Sequence, residues 1–171
     1  MEHIASLFLL SSWTAAAIVY DWRSRRLPNV LTLGAMACGL ASLLLFSQGP
    51  LGASWLSSLF AGMAALAILL PPYITHAMGA GDVKFFMAMG LLGGPIVLLP
   101  TLLVGSLLAG AMAVWVLACS GRWPLLSLIL ERWRVASLLP TALPQRPLPF
   151  GVPLGIGFLL TIWGVMEGQL L

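Results

Sequence analysis

The sequence predicts an all-α fold, a polytopic membrane helix bundle of about six transmembrane helices, with residues 1–171 forming one domain. Composition is the first ground. The chain is 60% hydrophobic and 8% charged, with a mean hydropathy of +1.03, whereas a soluble domain carries roughly 25% charged residues. So few charges cannot cover a water-facing surface. The second ground is the series of apolar runs separated by short polar or Gly/Pro-containing segments. The third is the placement of charge. Eight Lys/Arg against five Asp/Glu give a net charge of +3, and the basic residues gather in a few loops. That pattern reports membrane orientation, not nucleic-acid binding.

The first apolar run is Ile4 to Tyr20. Met1-Glu2-His3 lacks the positive n-region of a signal peptide, so the run reads as an uncleaved first helix. Arg23, Arg25 and Arg26 follow it, which puts this loop in the cytoplasm and the N-terminus outside. Asp21 lies one residue past the run, and helical structure can persist there for another turn. Leu27-Pro28-Asn29 closes the loop, with Pro28 suited to the entry of the next helix. A second run, Val30 to Phe46, ends in the turn-like Ser47-Gln48-Gly49-Pro50. A third, Ala53 to Leu70, is expected to stop at Pro71-Pro72. The loop Tyr73 to Gly81 leads into a short fourth segment, Phe85 to Leu92, broken by Gly93-Gly94-Pro95. The fifth run is Ile96 to Ala118. A tight outside turn at 93–95 keeps the charged loops on one side; a single kinked helix from 84 to 118 would send the arginines of the next loop outside. Within 121–149, Leu125 to Leu139 suits an interfacial helix with Trp133 at headgroup level, or a cover over a site. The last run, Phe150 to Val165, carries Gly151, Gly155 and Gly157, which allow close helix approach in a membrane.

The chain has two aspartates, Asp21 and Asp82, and each sits where a membrane helix meets a polar loop. Either one alone reads as an interfacial helix-end charge. The surroundings of Asp82 argue for more, because Met78-Gly79-Ala80-Gly81 places two small, permissive residues directly before the carboxylate. Two carboxyl groups that share one proton can act as base and acid in a single step, one activating a water while the other protonates or polarises a carbonyl. No serine has a visible base, and no cofactor is indicated. Cys38 and Cys119 lie inside apolar runs without a Cys-x-x-Cys, so they read as small buried side chains and not as metal ligands. His76 reads as a solvated loop histidine near the second aspartate. The arginine cluster reads as a topology signal.

Gly79-Ala80-Gly81-Asp82-Val83-Lys84 resembles the GxGD motif of type IV prepilin peptidases. Asp21, a basic spacer and Leu27-Pro28-Asn29 resemble that family's first aspartate block. Leu148-Pro149-Phe150-Gly151-Val152-Pro153-Leu154 is a weaker third match. Presenilin-like peptidases share GxGD, but the two blocks in family order in a chain of this size are more specific. The resemblance implies an intramembrane aspartic endopeptidase that removes a short basic leader from prepilins at the cytoplasmic face of the bacterial inner membrane. It implies Asp21 and Asp82 as catalytic residues, Gly79 and Gly81 shaping the loop near the scissile bond, and Lys84 steadying a carboxylate or the substrate. The implied partners are a membrane-inserted prepilin, the lipid bilayer and the pilus assembly machinery. Larger members carry a cytoplasmic insertion with paired Cys-x-x-Cys motifs, associated with N-methylation of the new terminus. Here the 21–29 loop is too short to hold it, so the chain looks like the minimal Flp/Tad type or an archaeal preflagellin relative. The alternative is a small transporter or channel using Asp21 and Asp82 as proton or cation sites. It would place the acids nearer the midplane and show repeated halves.

Overall fold

The computed structural model describes residues 2–76, 78–119, 150–166 and 168. Among them the regular structure is entirely helical: α1 (Glu2–Ser24), α2 (Asn29–Phe46), α3 (Trp55–Ile74), α4 (Ala80–Cys119) and α5 (Gly151–Met166). The segment read as an interfacial helix or cover, Leu125 to Leu139, lies outside the described residues.

Three of these helices, at Asn29–Phe46, Trp55–Ile74 and Ala80–Val116, are long and apolar enough to cross a membrane, and Gly151–Val165 is a shorter apolar helix. Large apolar side chains point outward along them, Leu44 at 85% exposed and Trp115 at 71%. An exterior this apolar suits lipid and not water. This is a membrane protein.

The first part of α4 is the centre of the bundle. Phe85, Phe86, Ala88 and Met89 are wholly buried there, and α4 packs against α2, α3 and α5, while α1 packs against α5. Small residues let these helices meet at backbone distance, the usual device where lipid gives no hydrophobic drive for association. A Cβ on Gly90 would stand 2.7 Å from the Ala61 carbonyl oxygen, and one on Gly157 would stand 2.8 Å from the Gly105 nitrogen. Trp13 links α1 to the rest. Its indole Nε1 donates to the Leu31 carbonyl at 3.0 Å, and its ring meets Phe85 at 5.1 Å and Phe158 at 6.3 Å between centroids.

α4 is two helical limbs joined at a kink. Gly94 takes φ 69° and ψ −172°, a combination open to glycine and strained for residues with a Cβ, and Pro95 follows with no N–H to continue the ladder. The first limb runs from Asp82 to Leu92, whose carbonyl lies beside Gly49 in the α2–α3 turn. The second limb comes back, so that Ala109, Gly110 and Ala113 line a groove together with Met78 and Phe150. The break expected at Gly93-Gly94-Pro95 therefore returns the chain to the end of the bundle that holds Asp82.

Three expectations need correction. α3 does not stop at Pro71-Pro72 but runs through both to Ile74. Proline lacks a donor and keeps its acceptor, and here the Pro71 carbonyl receives the Thr75 N–H at 3.1 Å and the Thr75 hydroxyl at 3.2 Å. Tyr73 to Gly81 is accordingly not all loop. α4 begins at Ala80, which places Asp82 in the first helical turn. Cys38 is exposed, not buried, because α2 turns Thr32, Ala35, Gly39 and Leu43 inward and leaves position 38 off that face.

Candidate active site

Asp21 occupies the last turns of α1 and is only 3% exposed. It is held from across the bundle by α5. Its Oδ2 accepts the Val152 N–H at 3.1 Å, and the Gly151 amide also bears on the carboxyl group. The first amides of a helix have no partners within it, and the helix dipole adds partial positive charge at that end. A carboxylate is a natural occupant. Contact this close depends on Gly151, because a Cβ there would lie 2.8 Å from Asp21 Oδ2 and 3.0 Å from Cγ. Arg25, one turn further on, adds an attractive charge.

Asp82 stands at the third position of α4. Its N–H donates to the Gly79 carbonyl at 3.1 Å, and the Gly79 amide lies against its carboxyl group. This is the acidic half of a capping box, in which the side chain reaches back to cover the amide that precedes the helix. Asp82 also feels the like charge of Asp21. Both carboxylates line one cavity of about 380 Å³, with Arg25, Arg26, His76, Gly79 and Phe150 among its walls.

Gly81 acts through small size, and Gly79 through its backbone, whose carbonyl and amide both meet Asp82. The glycines with positive φ among the described residues are Gly52, Gly94 and Gly168, so the conformational freedom expected at 79 and 81 is not what the loop uses. A Cβ on Gly81 would stand 3.2 Å from the Leu27 Cβ, and a Cβ on Gly151 would stand 3.1 Å from a Leu27 Cδ. Leu27, itself buried, is thus wedged between the approach to Asp82 and the helix start that holds Asp21.

Lys84 lies apart from the cavity lining. Its Nζ donates to Asn29 Oδ1 at 3.1 Å, which ties the start of α4 to the start of α2 and joins the two sequence blocks. His76 is exposed, with φ 57°, and together with Arg25 and Arg26 it forms part of the cavity wall. A basic loop that reads as a topology signal also surrounds the carboxylates. Sequence reasoning missed Leu27, Gly151 and Val152 as site residues. The available signal was a glycine two residues before Pro153 at the opening of the last apolar run. Among the described residues no group of three His, Cys, Asp or Glu side chains could hold a metal ion.

Fold and site together define a helical membrane protein in which two carboxylates from separate helix ends share a polar cavity. A model of the type IV leader peptidase family matches residues 8–114, more than half of the chain. The chain belongs to that family. It is a peptidase of the leader-peptidase kind, set in a membrane. No curated protein and no solved structure matches it. The matched stretch contains Asp21 and Asp82 and ends before α5 begins, so Val152, which holds Asp21, lies beyond it.

Proposed function

We propose that this protein is an aspartic endopeptidase that removes the leader from type IV, Flp-like prepilins at the cytoplasmic face of the bacterial inner membrane, crossing that membrane about six times with its N-terminus outside. Asp21 and Asp82 are its catalytic pair. The observation that carries this reading is that the chain's two aspartates, far apart in sequence, line the same cavity.

The chemistry follows from two carboxyl groups that hold one proton between them. The ionised carboxylate removes a proton from a water as the water oxygen bonds to the scissile carbonyl carbon, while the protonated partner gives its proton to the carbonyl oxygen. The tetrahedral intermediate then collapses: the C–N bond breaks and the departing amine takes a proton from the carboxyl that received one. As the C=O re-forms, one hydroxyl proton passes to the partner carboxylate, which restores the singly protonated pair. Burial works against the charged form at Asp21, and the Val152 N–H donated to its Oδ2 offsets part of that cost, which suits this residue to the base's role. Gly79 shapes the site through its backbone contacts with Asp82, Gly81 by leaving room for Leu27 beside it, and Lys84 supports the site at a distance by fastening α4 to Asn29.

The test is leader removal. Membranes carrying wild type, Asp21→Asn or Asp82→Asn at matched expression are mixed with candidate prepilins, and the products are read by gel shift and N-terminal sequencing. Cleavage by wild type and its loss in both variants is the expected result. Cleavage by both variants at the wild-type rate would sink the dyad assignment.

A further inference from the structure

Beside the carboxylate cavity lies a second, apolar groove of about 220 Å³ between the ends of α3 and α5 and the returning limb of α4. Its one hydroxyl, on Ser106, is already bonded to the Leu103 carbonyl at 3.0 Å, so its walls offer little to a polar ligand. The groove and the cavity share two walls, Met78 and Phe150. A chain lying across both would pass from Arg25, Arg26 and His76 on one side of that partition to hydrocarbon on the other. Along the groove the α4 limb presents Gly105, Ala109 and Ala113 at four-residue spacing, which puts small residues on one face. Gly105 is used internally, since a Cβ there would meet Leu154 at 3.0 Å, whereas a Cβ on Gly110 would meet nothing within 4 Å. The floor at Gly110 is open.

We infer that this groove seats the apolar helix of the membrane-inserted substrate, and that the polar cavity receives the scissile bond at the end of that helix, against the two carboxylates. The inference rests on the peptidase reading proposed above. It makes the boundary formed by Met78 and Phe150 the selector of the scissile bond, which is the bond where the substrate changes from polar chain to apolar helix. Specificity then lies partly in helix packing, where close approach over small residues governs the fit.

The experiment uses the full-length protein in membranes with a full-length precursor that wild type cleaves. Gly110→Leu fills the groove from a position where the protein itself leaves room, and Gly34→Leu is the control, because a Cβ on Gly34 of α2 also meets nothing within 4 Å. Overfilling a packed contact lowers kcat/KM about tenfold or more, expressed mainly in KM. Gly34→Leu cleaves as wild type does. A precursor with alanines in place of the bulky residues in the first turns of its apolar helix recovers cleavage by Gly110→Leu. A photoreactive side chain at Ser106, in the Asp82→Asn background, crosslinks to the precursor's apolar helix, and one at Leu33 on α2 does not. If Gly110→Leu cleaves like wild type, or if its loss is not recovered and Ser106 gives no crosslink, the groove is not the docking site while the dyad reading stands. Failure of wild type on every precursor would instead remove the peptidase reading itself.

Discussion

Replacing Gly151 by alanine perturbs the site at one atom. The added Cβ would sit 2.8 Å from Asp21 Oδ2, at least 0.6 Å inside the 3.4–4 Å of ordinary contact. Either the carboxyl group moves or the first turn of α5 does, and in both cases the 3.1 Å bond from Val152 is distorted. A displacement near 1 Å at a reacting group costs up to ~10²-fold in rate, so the expected fall in kcat is roughly ten- to a hundredfold, with KM little changed. Stability moves independently of this, because alanine is favoured over glycine in a helix by up to about 1 kcal/mol. The assay is initial-rate cleavage of a precursor over a range of concentrations, alongside thermal unfolding in detergent. Gly34→Ala serves as the control, in open space on α2. A Gly151→Ala enzyme that keeps its kcat within twofold would refute the claim that α5 positions Asp21. So would a loss of activity that merely tracks a loss of folded protein.

Other perturbations follow from the packing. Lys84→Ala and Asn29→Ala should each weaken the protein by the same modest amount, and the double variant should be no worse than either single one, with a coupling of about 0.5–1.5 kcal/mol in a double-mutant cycle. Trp13→Phe keeps an aromatic ring between Phe85 and Phe158 but loses the donor to Leu31, and should cost about 1 kcal/mol in detergent unfolding, whereas Trp13→Ala should cost about 3–5 kcal/mol. Gly90→Leu cannot be placed without driving α4 off the Ala61 backbone, so it should fail to accumulate as a folded protein on size-exclusion chromatography, while Gly34→Leu accumulates normally.

The helices were legible because lipid imposes a simple rule, that a spanning segment must be long, apolar and internally hydrogen-bonded. The reversal at Gly94 could be read from a Gly-Gly-Pro run and from the need to keep arginine-bearing loops on one side. The two aspartates stood out because a carboxylate is rare in such a chain. What could not be read was how they are held. Asp21 takes its hydrogen bond from Val152, at the other end of the sequence, and local pattern does not encode a contact that depends on the meeting of α1 and α5. The proline rule misled at α3 for a related reason. It counts the missing donors of Pro71 and Pro72 but not the acceptors that Thr75 satisfies. Gly79 and Gly81 drew attention for their freedom, yet at Gly81 the structure uses the absence of a side chain against Leu27.

Leu27 carries a consequence of its own. It is a loop residue, and its side chain fills the gap between Gly81 and Gly151, the neighbours of the two groups that present Asp82 and Asp21. One aliphatic side chain therefore acts as a shim between two halves of the site that belong to different helices. The closeness with which those two helix ends can meet is limited by that side chain, so a change of volume at position 27 is expected to act on the pair without touching either aspartate.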